Sequence, residues 1–379
     1  MPNVLQREQT WTVDFVASTA LDLLNCMYFT YLAGQIDGVE DWPVRTRADM
    51  DPALREELDL FYSYPRREPG IMGALNDVLF FHRESWRSVD ALLAFVRELP
   101  AEGTPEPNRV GIQGLALYAL RWPGHEPFRL ERGVDARDAF SATLDTAPDE
   151  AFSFIISPAV AGGRDSILAL YDNPEHVRAR MLSLIRRFYD EHYRVDEERR
   201  VRCMERSVAR HRREDVGDIE ALLRRVTGRQ ASCIQEEIED YTQFIFVPSV
   251  DVGPYNSCAD LPPLHGLHYP CEPEPSEAGD EPSSTHRLAQ VYRALSDEQR
   301  LRILRELRDG ELYAQEIVAR TGLNQPVVSR HLAFLKAVGL VNARRQNNMK
   351  FFSLNNTMRD ELRQAVDLFL PPAKPQRRD

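Results

Sequence analysis

Lysine and cysteine are both scarce in this chain of 379 residues. Three of its 47 basic residues are lysines, which indicates a codon bias towards arginine rather than selection for phosphate binding. The five cysteines are scattered and odd in number, which argues against a disulfide framework and agrees with a reducing compartment. No apolar stretch reaches the ~18–20 residues that span a bilayer, and no secretion signal is recognisable. We therefore expect a cytoplasmic protein with no membrane partner.

Motifs that mark common enzyme sites are also missing. The sequence has no glycine-rich loop that would cradle a phosphate, no nucleophile elbow and no paired Cys/His nucleophile motif. The Gly162-Gly163 pair is too short to form such a loop. We therefore expect no enzymatic activity and no catalytic residues.

Charge is divided unevenly along the chain, although the formal net charge is −12. Residues 286–379 contain 17 Lys+Arg against 10 Asp+Glu, a net of +7, whereas residues 1–285 contain 30 against 49, a net of −19. A basic module on an acidic body is typical of a DNA reader joined to another domain. The acidic, proline-rich segment 271–285 has too little apolar surface to fold and predicts a linker.

This linker defines the predicted domains. They are an N-terminal domain over 1–270, with a second boundary near 100–108, a C-terminal domain over 286–370, and a flexible tail over 371–379. The fold class is mainly α, in an α+β arrangement. In the N-terminal domain, helical spacing of apolar residues predicts helices over 13–33, 78–99, 174–212 and 218–225. A few strands are predicted near 241–270, from alternating or continuous apolar residues at 241–252 and 264–269.

The C-terminal domain shows the clearest local signals. A helix starting at His286 is followed by a second helix after the N-cap pair Ser296-Asp297, with Leu301, Leu304 and Leu307 predicted inward and Ile303 flanking them. Residues 314–321 and 325–338 predict two further helices, joined by a turn at Gly322. Two strands over 340–345 and 350–354, joined at Asn347-Asn348, predict a β-hairpin. These elements predict a winged helix-turn-helix.

The fourth helix and the hairpin carry side chains suited to DNA. Val328, Leu332 and Leu335 predict the buried face of the helix, which leaves polar residues on its other faces. Gln pairs with adenine and Arg with guanine, whereas basic residues on the hairpin suit phosphates. The predicted DNA-binding residues are Asn324, Gln325, Val327, Ser329, Arg330, His331, Lys336, Arg344, Arg345, Asn347, Asn348 and Lys350.

The segments 294–307 (ALSDEQRLRILREL) and 322–341 (GLNQPVVSRHLAFLKAVGLV), with the KFFSL strand, resemble the ArsR/SmtB family of winged-helix repressors. The resemblance covers about 85 residues and implies a homodimer that binds double-stranded DNA at a palindromic operator. It also implies dimerisation through the first and last helices, the last being predicted over 357–370. The corresponding dimerisation residues are Leu288, Val291, Met358, Leu362, Val366 and Phe369. The last helix could instead pack on the N-terminal domain of the same chain.

The metal site that many members of this family use is not expected here. The matching segment 311–317 contains no cysteine, and the last helix contains no histidine. A separate set, Cys258, His265, His268 and Cys271, has zinc-ligand chemistry but lacks the usual spacing, and two strand residues three apart point to opposite faces. We therefore expect no cofactor, with a zinc-responsive regulator as one alternative and a winged helix for protein contacts as another. The leading hypothesis is a repressor whose N-terminal domain senses an unknown small-molecule or other effector.

Overall fold

The computed structural model describes residues 11–62, 70–104, 107–119, 135, 137, 138, 142, 164–212, 218–227, 238–271, 282–346 and 349–369. Two main groups of elements are present. The described residues between 11 and 271, here called the N-terminal body, surround one sheet, and those between 282 and 369 form a second unit around their own core. Within these described ranges, no helix is both long enough and apolar enough to cross a membrane.

The N-terminal body is built on a sheet whose described strands are β1 (Thr12–Phe15), β2 (Gln243–Ser249), β3 (Ser257–Leu261) and β4 (Leu264–Pro270). They run in the order β1-β2-β4-β3. Its first three strands in that order are parallel, whereas β3 is antiparallel to β4. Side chains alternate across the sheet, so that Ile245 and Val247 face one apolar core while Phe244 and Phe246 face another.

Helices cover both faces of this sheet, as parallel strands require. The central helix, α1, is buried along most of its length, and Ser18 caps it by accepting a hydrogen bond from Leu21 N at 3.1 Å. The α-helices in the described part of the body are α1 (Thr19–Leu32), α2 (Asp41–Asp49), α3 (Pro52–Tyr62), α4 (Gly70–Leu79), α5 (Val89–Glu98), α6 (Ile112–Ala119), α7 (Arg164–Asp172), α8 (Pro174–Phe188), α9 (Glu197–His211) and α10 (Ile219–Thr227).

The sequence predictions for this body were right in class and incomplete in detail. The predicted strands at 241–252 and 264–269 correspond to β2 and β4, but β1 and β3 were not predicted. The predicted helix 78–99 is wrong, because α4 ends at Leu79 and Ser88 caps a separate helix. The predicted boundary near 100–108 does not separate two domains, since Leu99 and Val110 lie in the same core.

The C-terminal unit has a helical core with a small sheet. Its helices are α11 (Pro282–Leu295), α12 (Glu298–Glu306), α13 (Ala314–Thr321), α14 (Gln325–Ala337) and α15 (Asn356–Phe369). Its strands are β5 (Leu312–Tyr313), β6 (Val341–Gln346) and β7 (Met349–Leu354). β7 lies between the other two and is antiparallel to both. This order of elements is the predicted winged helix-turn-helix, with β5 as an addition.

One predicted core face in this unit is wrong. In α12 the side chain of Ile303 is fully buried, whereas Leu301 is 47% exposed and Leu304 is only partly buried. Leu307 is buried as predicted. The helix therefore turns the i, i+4 pair Ile303 and Leu307 inward rather than the i, i+3 series of leucines.

Candidate nucleic-acid interface

The helix-turn-helix consists of α13 and α14. Gly322 between them has the left-handed φ of +68°, which glycine adopts without steric cost, and its N–H caps α13 by donating to Val318 O. Asn324 Oδ1 accepts from Val327 N at 3.0 Å and caps α14. Pro326 lies in the first turn of α14, where a missing N–H leaves no helix bond unmade. The predicted turn chemistry is thus present at each position.

α14 has one face in the core and one towards solvent. Val328, Leu332 and Leu335 are buried in the core of the C-terminal unit. The side chains that remain at least partly accessible on the helix include Gln325, Val327, Ser329, Arg330 and Lys336. Amide, hydroxyl and guanidinium groups on an exposed helix can reach base edges in a major groove.

The hairpin of β6 and β7 forms the wing. Arg344 Nε donates to Glu311 Oε2 at 2.7 Å, and its guanidinium lies 5.0 Å from the centre of the Phe351 ring. Arg345 is placed opposite Lys350 in the pairing of the two strands. Asn347 and Asn348 lie outside the described residues. The wing thus presents basic groups beside the turn, where they could contact the phosphate backbone.

Comparison with known proteins agrees with this geometry. A family model described as "Bacterial regulatory protein, arsR family" matches residues 297–343. The transcriptional activator HlyU of Vibrio cholerae serotype O1 is 37% identical over 78 residues, which cover 21% of this chain and 69% of HlyU. The chain belongs to the ArsR family.

Two other relatives illustrate the extent of the similarity. The arsenical resistance operon repressor of Staphylococcus xylosus is 33% identical over 85 residues, or 22% of this chain and 82% of that protein. The solved structure of HlyU from Vibrio cholerae N16961 is 31% identical, covers 22% of this chain and 94% of its own, and has a TM-score of 0.20. Family membership thus describes the C-terminal unit, residues 282–369, called the ArsR domain below.

The predicted dimerisation residues divide into two groups. Val291 and Met358 are buried in the core of their own ArsR domain, so their prediction as interface residues is wrong. Leu288, Leu362 and Val366 are only partly buried on α11 and α15, and Leu362 packs against the edge of that core. Phe369 is the last residue of α15. The ArsR domain thus uses part of the apolar stripe on its last helix for its own packing.

His331 is not on the accessible face of α14, contrary to the prediction that it contacts DNA. Its side chain is 5% exposed, with Nδ1 3.1 Å from Asp37 Oδ2 and Nε2 3.0 Å from Gln299 Oε1. Asp37 belongs to the loop 36–40 between α1 and α2, so the N-terminal body contacts the helix-turn-helix directly. Sequence reasoning missed this contact, and its only local signal is the pair of glycines, Gly34 and Gly38, around Asp37.

The N-terminal body also contains a buried ionic cluster. The side chains of Asp22 and Arg200 are 0% exposed, with Arg200 Nη1 3.5 Å from Asp22 Oδ2 and Nη2 2.8 Å from Asp251 Oδ2. Tyr193 donates to Asp22 Oδ2 at 2.8 Å, and Trp42 stacks against the Arg200 guanidinium. Burial raises the pKa of Asp22, while the charge of Arg200 acts in the opposite direction. The cluster joins α1 and α9 to the segment after β2.

The four zinc-ligand candidates do not meet at one point. His265 packs against Tyr241 and Phe244 on one face of the sheet. His268 is on the opposite face, beside Phe80, with Nδ1 3.1 Å from Ser249 Oγ. The other two candidates are also apart, since Cys258 packs beside the core that holds Phe244, and Cys271 lies next to Cys203 at the end of β4. In the described part of the chain, no group of three or more His, Cys, Asp or Glu residues could hold a metal ion.

Proposed function

We propose that this protein is a sequence-specific transcriptional regulator that reads double-stranded DNA with the exposed face of α14. The observation that carries the proposal is that α14 has one buried apolar face and one accessible polar face. Its apolar side chains are buried in the ArsR domain, while Gln325, Ser329 and Arg330 remain partly accessible at the end that follows the turn. Residues at the N-terminal end of a recognition helix are the ones that contact bases in helix-turn-helix proteins.

The wing supplies a separate, sequence-independent contribution. Arg344, Arg345 and Lys350 lie on paired strands beside the turn, and basic side chains in such a position bind phosphates. The proposed DNA contacts are fewer than those predicted from the sequence, for the following two residues among others. Asn324 serves as the cap of α14, and His331 is removed because it is buried.

We further propose a homodimer on a palindromic operator. The partly buried Leu288, Leu362 and Val366 of α11 and α15 provide apolar area that a second copy could cover. Two-fold symmetry would place the half-sites about 10 base pairs apart, or a multiple of this distance. A sedimentation experiment tests the assembly, with twice the 43.5 kDa chain mass expected and a monomer at micromolar concentration contradicting it.

The proposed biological role is repression, modulated by an effector that the N-terminal body senses. A protein that covers its operator represses by excluding other proteins from that DNA. An effector changes this only if it binds one DNA-affinity state better than the other. The direct contact between loop 36–40 and α14 gives the body a physical connection to the DNA-reading helix.

The experiment that tests the function compares two triple variants. Gln325→Ala, Ser329→Ala and Arg330→Ala together should abolish preference for the selected operator over random duplex in a gel-shift assay, without changing the circular dichroism spectrum. Arg344→Ala, Arg345→Ala and Lys350→Ala should instead weaken binding to both duplexes and reduce its salt dependence. If the first variant still selects the same operator, the proposed reading face is wrong.

A further inference from the structure

We propose that loop 36–40 is an autoinhibitory contact, in which Asp37 holds Arg330 and lowers the affinity of the ArsR domain for DNA. The inference rests on the proposed function, because it assigns Arg330 to the DNA-reading face. Neither the sequence nor the family similarity indicated such a regulatory element, since Asp37 lies 294 positions before His331 in the chain.

The Asp37 carboxylate lies among three basic side chains of the ArsR domain. Its Oδ2 accepts from Arg300 Nη1 at 3.0 Å and lies 3.1 Å from His331 Nδ1. Its Oδ1 lies 3.7 Å from Arg330 Nε. The side chain of Arg330 is 41% exposed, but its Nε is buried and makes no hydrogen bond, so Asp37 supplies the nearby counter-charge. One carboxylate thus contacts both the packing side and the reading side of α14.

Contacts on both sides hold the loop in this position. The Tyr255 hydroxyl donates to the backbone oxygen of Asp37. Gly253 packs so closely against the loop that a side chain at this position would collide with the backbone of Gly38. Gly38 has a φ of +79° and lies directly against the ring of Phe334 on α14. The loop therefore contacts the ArsR domain through close packing as well as through ion pairs.

The partners of Asp37 in the ArsR domain are fixed as well. Arg300 Nε donates to Ala294 O at 2.7 Å, and its Nη2 donates to Arg293 O at 2.9 Å. At the other end of the loop, Glu40 Oε1 accepts from Gln290 Nε2 at 2.9 Å and lies 3.3 Å from His286. Glu40 thus joins the same two domains through α11, away from α14.

This arrangement opposes DNA binding in two ways. A phosphate or a guanine edge that binds Arg330 must compete with the Asp37 carboxylate for the same guanidinium. The negative charge also lies beside a surface that would face the phosphate backbone, where it repels DNA. An effector that withdraws the loop would remove both effects, and DNA and such an effector would then favour each other's binding.

The test measures DNA affinity by fluorescence anisotropy with the full chain. The probe is a labelled duplex that the wild-type protein enriches from a random-sequence pool. Asp37→Asn keeps the size of the side chain and removes its charge, and Glu40→Gln makes the same charge change in the same loop without touching α14. Asp37→Asn should raise the affinity about two- to fivefold more than Glu40→Gln, as expected for a partly exposed ion pair. Its salt dependence should steepen by about one released counterion.

A second comparison identifies the residue through which the loop acts. In an Arg330→Ala background, the advantage of Asp37→Asn over Glu40→Gln should shrink, because only the repulsion between the Asp37 charge and DNA is left to remove. Tyr255→Phe, which removes one support of the loop, should raise the affinity in the wild-type background even if Asp37→Asn proves unstable. Equal effects of Asp37→Asn and Glu40→Gln in the wild-type background, or an advantage of Asp37→Asn that is undiminished without Arg330, would overturn the autoinhibitory role. If wild type and variants alike bind no duplex in a salt-sensitive way, the proposed function itself is wrong and this inference falls with it.

Discussion

Replacing Gly38 with alanine should disrupt the contact between the two domains. Gly38 has a left-handed φ of +79°, in which an L-residue costs about 1–2 kcal/mol. A Cβ at this position would also overlap the Phe334 ring and would lie 2.8 Å from its Cζ atom. Because Phe334 is 1% exposed and belongs to the core of the ArsR domain, its ring has little room to move. Overpacking of this kind adds about 1–3 kcal/mol, unless the loop moves away and loses its bonds to the ArsR domain.

Gly34 provides the matched control for this prediction. It has a similar φ of +85°, but a Cβ there would meet no atom within 4 Å, so Gly34→Ala carries the backbone cost alone. Unfolding in urea can be followed by tryptophan fluorescence and by circular dichroism. The fluorescence reports on the N-terminal part, because all four tryptophans precede residue 285, whereas circular dichroism reports on the whole chain. We expect Gly38→Ala to lower the free energy of unfolding by about 1–3 kcal/mol more than Gly34→Ala. Equal losses in the two variants would refute the described fit of the loop against Phe334.

Three further predictions concern single side chains. Arg200→Met should lower the free energy of unfolding, measured in urea or by heating, by about 3–5 kcal/mol, because it leaves Asp22 buried without its counter-charge. The control Arg199→Met, at a partly exposed position, should lower it by about 1 kcal/mol or less. Asn324→Ala should cost about 1 kcal/mol, since it removes the cap of α14, and an unchanged melting temperature would contradict that role. Burial lowers the pKa of His268 to about 3, so the stability due to its neutral form is complete above about pH 6.5 and is lost as the pH falls from there towards 3. His268→Gln should flatten this acid dependence of urea unfolding, and an unaltered pH profile would contradict the assignment.

The ArsR domain could be predicted from sequence because its signals are local. Gly322 marks a left-handed turn, and Asn324 and Pro326 mark the start of α14 within five residues. The same locality explains the error in α12. Leucines at spacing i, i+3 and the pair Ile303 and Leu307 at spacing i, i+4 define two different faces, and only the packing of neighbouring helices decides between them.

The N-terminal body and the domain contact depend on pairings that are distant in sequence. β1 is only four residues long and pairs in parallel with β2, about 230 residues later, so nothing near Thr12 distinguishes it from the start of a helix. The burial of His331 likewise depends on Asp37, and the ionic cluster unites Asp22 with Arg200. Residue type and spacing cannot reveal such partners, because each side chain is compatible with an exposed position by itself.

The most direct test of the account is whether the full-length protein prefers one DNA sequence in a salt-sensitive manner. Binding of the purified chain to the duplex that it enriches from a random pool, and to a scrambled duplex of equal length, would be measured over a range of salt concentrations. We predict that the affinity falls steeply with salt for both duplexes, while a preference for the enriched sequence remains and is lost in the triple alanine variant of Gln325, Ser329 and Arg330. Equal affinity for both duplexes at every salt concentration, or no binding to either, would contradict it.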